Sequence, residues 1–199
     1  MCVATPEQTE GPYFVDEHLN RSDIRSDPVD ASVRPGLPLN LLIRVSGIGP
    51  AGCQPLVGAI VDIWHCDAQG VYSDVSDRRF RTVGSRFLRG YQVTDTSGSV
   101  RFVTIYPGWY QGRAVHIHFK IRTGPNAARG LQWTSQLYFD DGITDQAHRH
   151  IAYPQRGLPR TRNAEDDIFL DGGRSLLLTL SSTPDGYAAS FDAGLKLPS

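Results

Sequence analysis

The chain has 199 residues, with 20 Lys and Arg against 21 Asp and Glu and a formal net charge of −1, enough length for one domain with a substantial core and too little for two ordinary ones. With charges nearly cancelled and no basic stripe or acidic block, nucleic acid and anionic membrane surfaces are excluded as expected partners, which leaves a small-molecule ligand. No stretch has the apolar length of a membrane span, and residues 1–10 lack the charged start and apolar core of a signal peptide, so the chain as written is expected in the cytoplasm.

Residues 1–38 are rich in Pro, Asp, Ser and Arg and show little periodicity. They are predicted as an extended N-terminal arm and loops on the surface of a single domain, 1–199. Within the arm, T-P-E-Q-T-E-G-P-Y-F (residues 5–14) places a Gly-Pro turn before two aromatics, the pattern of a segment pinned by packing. Cys2, Cys53 and Cys66 are too few and too irregular for a zinc knuckle or a disulfide framework. If residues 57–65 form one strand, Cys53 and Cys66 lie more than about 25 Å apart, so only Cys2 is able to bridge to either. Such a bridge would mark the chain as the trimmed form of an exported protein and move its expected location outside the cytoplasm.

From Leu39 onward, short runs of Val, Ile, Thr and aromatics alternate with Gly, Pro, Asp and Ser clusters, the pattern of an all-β protein. L-N-L-L-I-R-V-S-G-I and L-V-G-A-I-V-D-I-W-H-C read as the first two strands. F-L-R-G-Y-Q-V-T and S-V-R-F-V-T-I-Y-P flank the turn D-T-S-G and read as a hairpin. V-H-I-H-F-K-I-R, W-T-S-Q-L-Y-F-D-D, S-L-L-L-T-L-S-S and G-Y-A-A-S-F-D follow, and roughly eight strands predict a β-sandwich with long loops. Residues 140–173 show no clear period and are predicted as a long excursion with one helical turn near 164–169.

Two stretches carry chemistry. In residues 106–121, Y-P-G-W-Y-Q-G-R-A-V-H-I-H-F-K-I, strand alternation puts His116, His118 and Lys120 on one face and Ile117, Phe119 and Ile121 on the other. Imidazoles two residues apart are separated by about 7 Å of rise, close enough for rings leaning together to share one ion. The turn P-G-W-Y-Q-G lets Tyr110 fold back over that face as a third ligand. In residues 61–75, V-D-I-W-H-C-D-A-Q-G-V-Y-S-D-V, a buried strand ends at Trp64 and D-A-Q-G turns the chain into Tyr72. A second histidine pair, His148 and His150, sits in the polar excursion without tyrosine or acid neighbours and reads as solvated loop. His65, on a core strand, reads as a packing histidine, and His18 carries no signal.

Four blocks together, T-P-E-Q-T-E-G-P-Y-F, P-L-V-G-A-I-V-D-I-W-H-C-D-A-Q-G-V-Y-S-D-V, P-G-W-Y-Q-G-R-A-V-H-I-H-F-K-I and S-Q-L-Y-F-D-D, resemble the intradiol ring-cleavage dioxygenases, the non-haem ferric family that includes protocatechuate 3,4-dioxygenase and catechol 1,2-dioxygenase. The resemblance implies an Fe(3+) site whose ligands fall on Tyr72, Tyr110, His116 and His118, with Tyr110 the ligand that leaves and Tyr72 the one that stays. It also implies cleavage of a catechol-type diol (catechol, protocatechuate or hydroxyquinol) with O2 to a muconate-type diacid. Arg113 and Gln136 are implied beside the metal as catalytic groups together with Tyr110, and Pro12, Tyr13, Trp109 and Arg113 as substrate-binding residues. The ligand set has its own chemical sense: two phenolates are hard anionic donors and two imidazoles are neutral, so with one hydroxide they balance a 3+ ion. Arg113 is then the natural stabiliser of charge developing on the ring.

The five residues between Tyr110 and His116, Q-G-R-A-V, form a shorter loop than in protocatechuate 3,4-dioxygenase, which implies a smaller substrate wall. The helical dimerisation segment of catechol 1,2-dioxygenases has no counterpart, so the chain resembles compact members that are a catalytic sandwich alone; a homo-oligomer stays an option. Two rival readings are a non-catalytic transthyretin-like or carboxypeptidase-regulatory-like sandwich, and a copper or zinc enzyme using the same tyrosines and histidines.

Overall fold

In β1 (Pro38–Gly49) every second residue points inward, with Leu39, Leu41, Ile43 and Val45 fully buried between more exposed neighbours, as a strand with one covered face requires. The computed structural model describes residues 3–50, 52–123, 130–153 and 161–197. β1 is the spine of a five-stranded sheet. It pairs antiparallel with β2 (Gly52–Pro55) and, through its first half, with β5 (Ser99–Ile105); β9 (Gly186–Lys196) runs parallel to it on the other side and carries β8 (Thr179–Thr183). The second sheet is antiparallel throughout, in the order β4 (Arg89–Val93), β3 (Ile60–Trp64), β6 (His116–Arg122), β7 (Gln132–Tyr138). Between the sheets lies one apolar core that joins Ile43, Phe102 and Phe191 to Val61, Ile117 and Phe119, with the Phe119 and Phe191 rings 5.8 Å apart. The expected all-β sandwich is the observed fold.

What distinguishes this sandwich is β6, which is buried on both faces. Ile117, Phe119 and Ile121 enter the core, and the outward face of His116, His118 and Lys120 is covered too. The N-terminal arm is the cover. The Gln8 amide donates to the Thr134 carbonyl, Ser135 donates to Pro6 O, and Gln136 Nε2 donates to Thr9 O at 2.9 Å. Lys120 pairs with Glu10 at 2.7 Å, and Arg122 bridges Asp16 of the arm and Asp62 of β3, each at 2.8 Å. The arm is therefore extended as expected, but it is strapped across the histidine-bearing face by hydrogen bonds and by ion pairs to the largely buried cations Lys120 and Arg122.

Several sequence expectations need correction. The D-T-S-G turn forms, with Gly98 N–H donating to Asp95 O and the Asp95 carboxylate accepting from Ser97 and Ser99, yet its strands are no hairpin. β4 pairs with β3 in one sheet and β5 with β1 in the other, so the turn carries the chain from one sheet to the other. The strand read over residues 56–66 is shorter: residues 56–59 form a turn after β2, and only Ile60–Trp64 is strand. S-L-L-L-T-L-S-S opens on the end of a 3-10 turn, Gly173–Leu176, Leu177 forms only an isolated bridge to Tyr138, and β8 starts at Thr179. The excursion holds more helix than expected. α1 (Asp141–Ala147) is capped by the Asp140 carboxylate, which accepts from Gly142 and Ile143, and α2 (Asp167–Leu170), where a helical turn was expected, is capped by Asp166 in the same way. His148 is buried rather than solvated, stacked at 4.8 Å on Tyr153 with Nε2 donating to Pro107 O. Cys66 is a free, buried thiol and Cys53 is disulfide-bonded, so these two are not joined to each other; Cys2 lies outside the described residues. Among the described residues no helix is long and apolar enough to cross a membrane.

His65 locks the two sheets together. Its Nδ1 donates to the carbonyl of Cys66 at 2.8 Å and its Nε2 accepts from the Thr104 hydroxyl of β5 at 2.7 Å. Burial, aided by the Arg89 charge, pulls this imidazole down from 6.5 to about 4. The unfolded chain therefore binds the proton first as pH falls, so stability is complete above about 6.5 and is lost on acidification toward 4, by about 3 kcal/mol from this group. Urea unfolding of the metal-free protein at pH 7 and pH 4 is expected to show this loss, and His65→Gln to reduce it. An identical pH dependence in the variant would remove His65 from the account.

Candidate metal centre

The pairing register builds one row straight across the second sheet: Arg89 lies opposite Trp64, Trp64 opposite His118, and His118 opposite Gln136. The next row places His116 opposite Tyr138. Trp64 and His118 are stacked, 4.9 Å apart and 7° from parallel, so the indole fixes the plane of this imidazole. His116 is fixed differently. Its Nδ1 lies 2.7 Å from the Ala114 carbonyl, which can only accept, so Nδ1 carries the proton and Nε2 presents its lone pair.

Two loops bring the phenols to that lone pair. After β3, the Asp67 carboxylate accepts from the amides of Gln69 and Val71, and Asp67 N–H donates to Val71 O at 2.8 Å. This tight turn delivers Tyr72, which is 1% exposed. The second loop, after β5, delivers Tyr110. The loops touch through two glycines: a Cβ at Gly70, which has φ +80°, would meet Trp109 O at 2.2 Å, and one at Gly108 would meet the carbonyls of Asp67 and Ala68 at 2.5 Å. The D-A-Q-G and P-G-W-Y motifs are thus two halves of one backbone contact.

Around His116 Nε2 the structure gathers His118 Nε2 at 3.0 Å, the Tyr110 hydroxyl at 3.2 Å and the Tyr72 hydroxyl at 3.5 Å. Such spacing is that of donors sharing one ion at about 2.0–2.2 Å. Burial holds both imidazoles well below their ordinary value, His116 with help from Arg113 and His118 with help from His116 and Arg113, so both are neutral donors. Burial also pushes Tyr72 well up, with Tyr110 adding to it, and pushes Tyr110 up to about 12 despite the opposing Arg113 charge. Without a cation, two phenols in this place stay protonated; a highly charged cation among them is what would ionise them. His118 Nδ1 is buried without a hydrogen-bond partner among the described residues. Those residues contain no rival cluster of three His, Cys, Asp or Glu side chains, and the oxygen and imidazole donors suit a hard trivalent ion better than one that prefers thiolate.

Arg113 stands beside the donors with Nη1 3.5 Å from His116 Nε2. Its Nε donates to Asp166 at 3.0 Å and its Nη2 to Gln136 Oε1 at 2.5 Å. Tyr110, Asp166 and Tyr138 together outweigh the effect of burial and hold the guanidinium charged. Gln136 is fully buried, ties Arg113 to Thr9 O of the arm, and accepts from the Tyr138 hydroxyl at 3.0 Å. Asp166 also accepts from the Ala114 amide at 2.8 Å. Sequence reasoning missed Asp166, Tyr138, Arg89 and Trp64; the only advance signals were a D-D-I-F helix start and the arginine that opens R-G-Y-Q-V.

The expected substrate-binding residues are placed unevenly. The Tyr13 ring lies 4.6 Å from that of Tyr72, and its hydroxyl donates to Asp77 at 2.7 Å. Pro12 is exposed; the neighbouring Gly11 is what approaches the site, where a Cβ would sit 3.4 Å from His118 Cε1. Trp109 lines a cavity of about 410 Å³ with Gln69, Gly70, Val71, Arg79, Phe80, Tyr110 and Gln111. A larger concavity, about 460 Å³, lies on the five-stranded sheet among β1, β5, β8 and β9. It is lined by no phenol or imidazole, so the smaller one, opening on Tyr110, is the one with chemistry.

A family model described as dioxygenase matches residues 9–155, a span holding all four donors. An intradiol ring-cleavage dioxygenase of Tetranychus urticae superposes with a TM-score of 0.83 at 30% identity, covering 98% of this chain and 95% of that one. The dioxygenase domain of a dioxygenase carbohydrate-binding protein fusion from Streptomyces sp. SirexAA-E superposes at 0.70 with 31% identity over 98% of this chain and 100% of that one. By sequence, the protocatechuate 3,4-dioxygenase beta chain of Burkholderia cepacia is 33% identical over 137 residues, 64% of this chain and 56% of that protein. Chlorocatechol 1,2-dioxygenase of Pseudomonas putida is 31% identical over 121 residues, 51% of this chain and 43% of that protein. The chain spans about half the length of these curated relatives. With the match covering most of its length and the sandwich superposing end to end, the chain belongs to the intradiol ring-cleavage dioxygenases.

Proposed function

We propose that this protein is an Fe(3+) intradiol dioxygenase, cleaving catechol-type diols between the hydroxylated carbons with O2 to give muconate-type diacids. The observation that carries the reading is the convergence of two phenols and a second neutral imidazole on His116 Nε2, each within 3.0–3.5 Å of it. Tyr72, Tyr110, His116 and His118 would hold the iron, which supplies the Lewis acidity that ionises the diol and makes its ring reactive toward O2.

The residues divide the remaining work. Tyr110 is half-buried and opens on the cavity, so its phenolate oxygen is the base within reach of an entering diol's proton, and a phenol with a value near 12 off the metal keeps that proton once taken. Tyr72, its ring 4.6 Å from that of Tyr13 and wholly buried, has no such opening and would stay in place. Arg113, locked by Asp166 and Gln136, is aimed at the donors and stabilises negative charge growing on the ring without reorganising. Trp109 and Phe80 offer apolar walls to the ring, and the arm residues Tyr13 and Phe14 exclude water from the far side. The overall change balances: one diol and one O2 give one diacid, with both oxygen atoms in the product.

Purified protein loaded with iron is expected to be red to purple from phenolate-to-iron charge transfer, and to consume one O2 per catechol, protocatechuate or hydroxyquinol cleaved. A colourless iron-loaded protein, or one that yields no diacid from any of the three, overturns the proposal. Full activity with zinc or copper alone would instead select the rival metal.

A further inference from the structure

The second arginine of the site has no obvious reason to be there. Arg89 is 2% exposed, and unlike Arg113, which has Asp166, it donates to no carboxylate among the described residues. A buried guanidinium with no carboxylate in hydrogen-bond contact is costly unless well-placed oxygens take its place. Here each of the three nitrogens finds such an oxygen, and Glu17 and Asp74 add favourable charge from further away. Nε donates to the Ser73 hydroxyl at 2.8 Å, Nη2 to the Ser73 carbonyl at 2.6 Å and Nη1 to the Tyr13 carbonyl at 2.6 Å. The Ser73 hydroxyl in turn donates to Phe87 O at 2.6 Å. The fork thus grips Ser73, the residue after Tyr72, by its hydroxyl and its carbonyl and reaches the arm with a third donor, directly where the Tyr13 and Tyr72 rings lie 4.6 Å apart.

We propose that Arg89 is a positioning residue for Tyr72, a buried clamp that makes docking of the N-terminal arm and placement of the Tyr72 phenol one event. The inference rests on the reading of Tyr72 as an iron ligand only for its consequence at the metal; the clamp itself is a property of the metal-free chain. It also separates the two tyrosines physically. Tyr72 is held from below by Arg89 and from above by Tyr13, whereas Tyr110 sits in a loop whose next residues, Gln111 and Gly112, are exposed, beside a cavity. One phenol is fixed and the other has room to swing out, an asymmetry set by the protein and not by the metal. Lysine cannot replace this fork, because a single ammonium does not reach two segments with fixed geometry.

The test compares Arg89→Lys and Arg89→Gln with Glu10→Gln, which loosens the arm at its Lys120 anchor without touching the Tyr72 loop. Two readouts are taken on protein shown by circular dichroism to be folded: chymotryptic cleavage after Tyr13 or Phe14 in the metal-free chain, and the phenolate-to-iron absorption band of the loaded protein. Arg89→Lys is expected to be cleaved roughly tenfold faster than wild type, the loss of one charge-assisted hydrogen bond, and to shift the band. Arg89→Gln should do the same, while Glu10→Gln is cleaved faster with its band unmoved. Wild-type protection in both Arg89 variants overturns the clamp, and a band unmoved in both overturns the link to Tyr72. An equal band shift in Glu10→Gln overturns the role of Arg89, since loosening the arm would then suffice. Should iron-loaded wild type show no such band, the metal reading fails, and cleavage alone still decides whether Arg89 ties the arm to the Tyr72 loop.

Discussion

Tyr72→Phe is expected to lose iron and nearly all activity while the protein stays folded. The change removes one oxygen, which lies 3.5 Å from His116 Nε2 and also shares a hydrogen bond with the Tyr110 hydroxyl; those two partners keep each other at 3.2 Å, and the ring packing on Tyr13, Tyr110 and His118 stays intact. No cavity opens and no buried partner is stranded, so thermal stability without metal should change by less than about 1 kcal/mol. The effect on the metal is far larger. Removing a hydrogen-bonded outer partner of a ligand typically weakens metal binding 10- to 100-fold, roughly, and removing an anionic ligand from a site that must balance a 3+ ion exceeds that. Tyr110→Phe should be milder, retaining iron better but binding catechol slowly, because the base that takes its proton is gone. Metal analysis, circular dichroism and anaerobic stopped-flow absorption check the pair. Full iron and full turnover in Tyr72→Phe would remove that residue from the site.

Arg113→Gln is expected to bind a catechol almost normally and to turn it over roughly 10²- to 10³-fold more slowly, the usual loss for one preorganised donor aimed at developing charge. The loss should appear in kcat more than in KM, because charge grows on the ring only after the diol is bound. The structure sharpens this expectation. Asp166, Gln136 and Tyr138 already occupy Nε and Nη2, leaving Nη1 facing the donors, an arrangement suited to a fixed field and poorly suited to capturing a carboxylate from solution. Because the change also leaves the buried Asp166 without its cation, Asp166→Asn belongs beside it: that variant keeps the Arg113 charge but frees its side chain, and should lose less. A rise in KM with kcat intact would make Arg113 a binder of anionic substrates, and catechol, hydroxyquinol and protocatechuate run in parallel would show it.

Much of this was legible in the chain itself. Alternation in V-H-I-H-F-K-I determined that both imidazoles leave β6 on one side, since side-chain direction in a strand is a local property of the backbone. The turn residues of D-A-Q-G-V-Y and P-G-W-Y likewise announced loops that place a tyrosine, because only glycine tolerates Gly70's positive φ and its approach to Trp109 O. Those residue types at that spacing also identified the family. Which strands pair was not legible: β4 and β5 flank a perfect hairpin turn and still part into different sheets, because pairing is settled by the partners available across the sandwich and not by the turn between them. Nor did the sequence reveal that Arg89 and Gln136 share one cross-sheet row with Trp64 and His118, or that Asp166, 53 residues from Arg113, is its counter-charge. Such contacts bind segments that the chain keeps far apart and only close packing brings within hydrogen-bond reach. The fate of the arm belongs with them: a Pro-rich, aperiodic segment reads as surface loop, and it is the ion pairs and hydrogen bonds offered by the outer face of β6, β7 and β4 that turn it into the wall of the site.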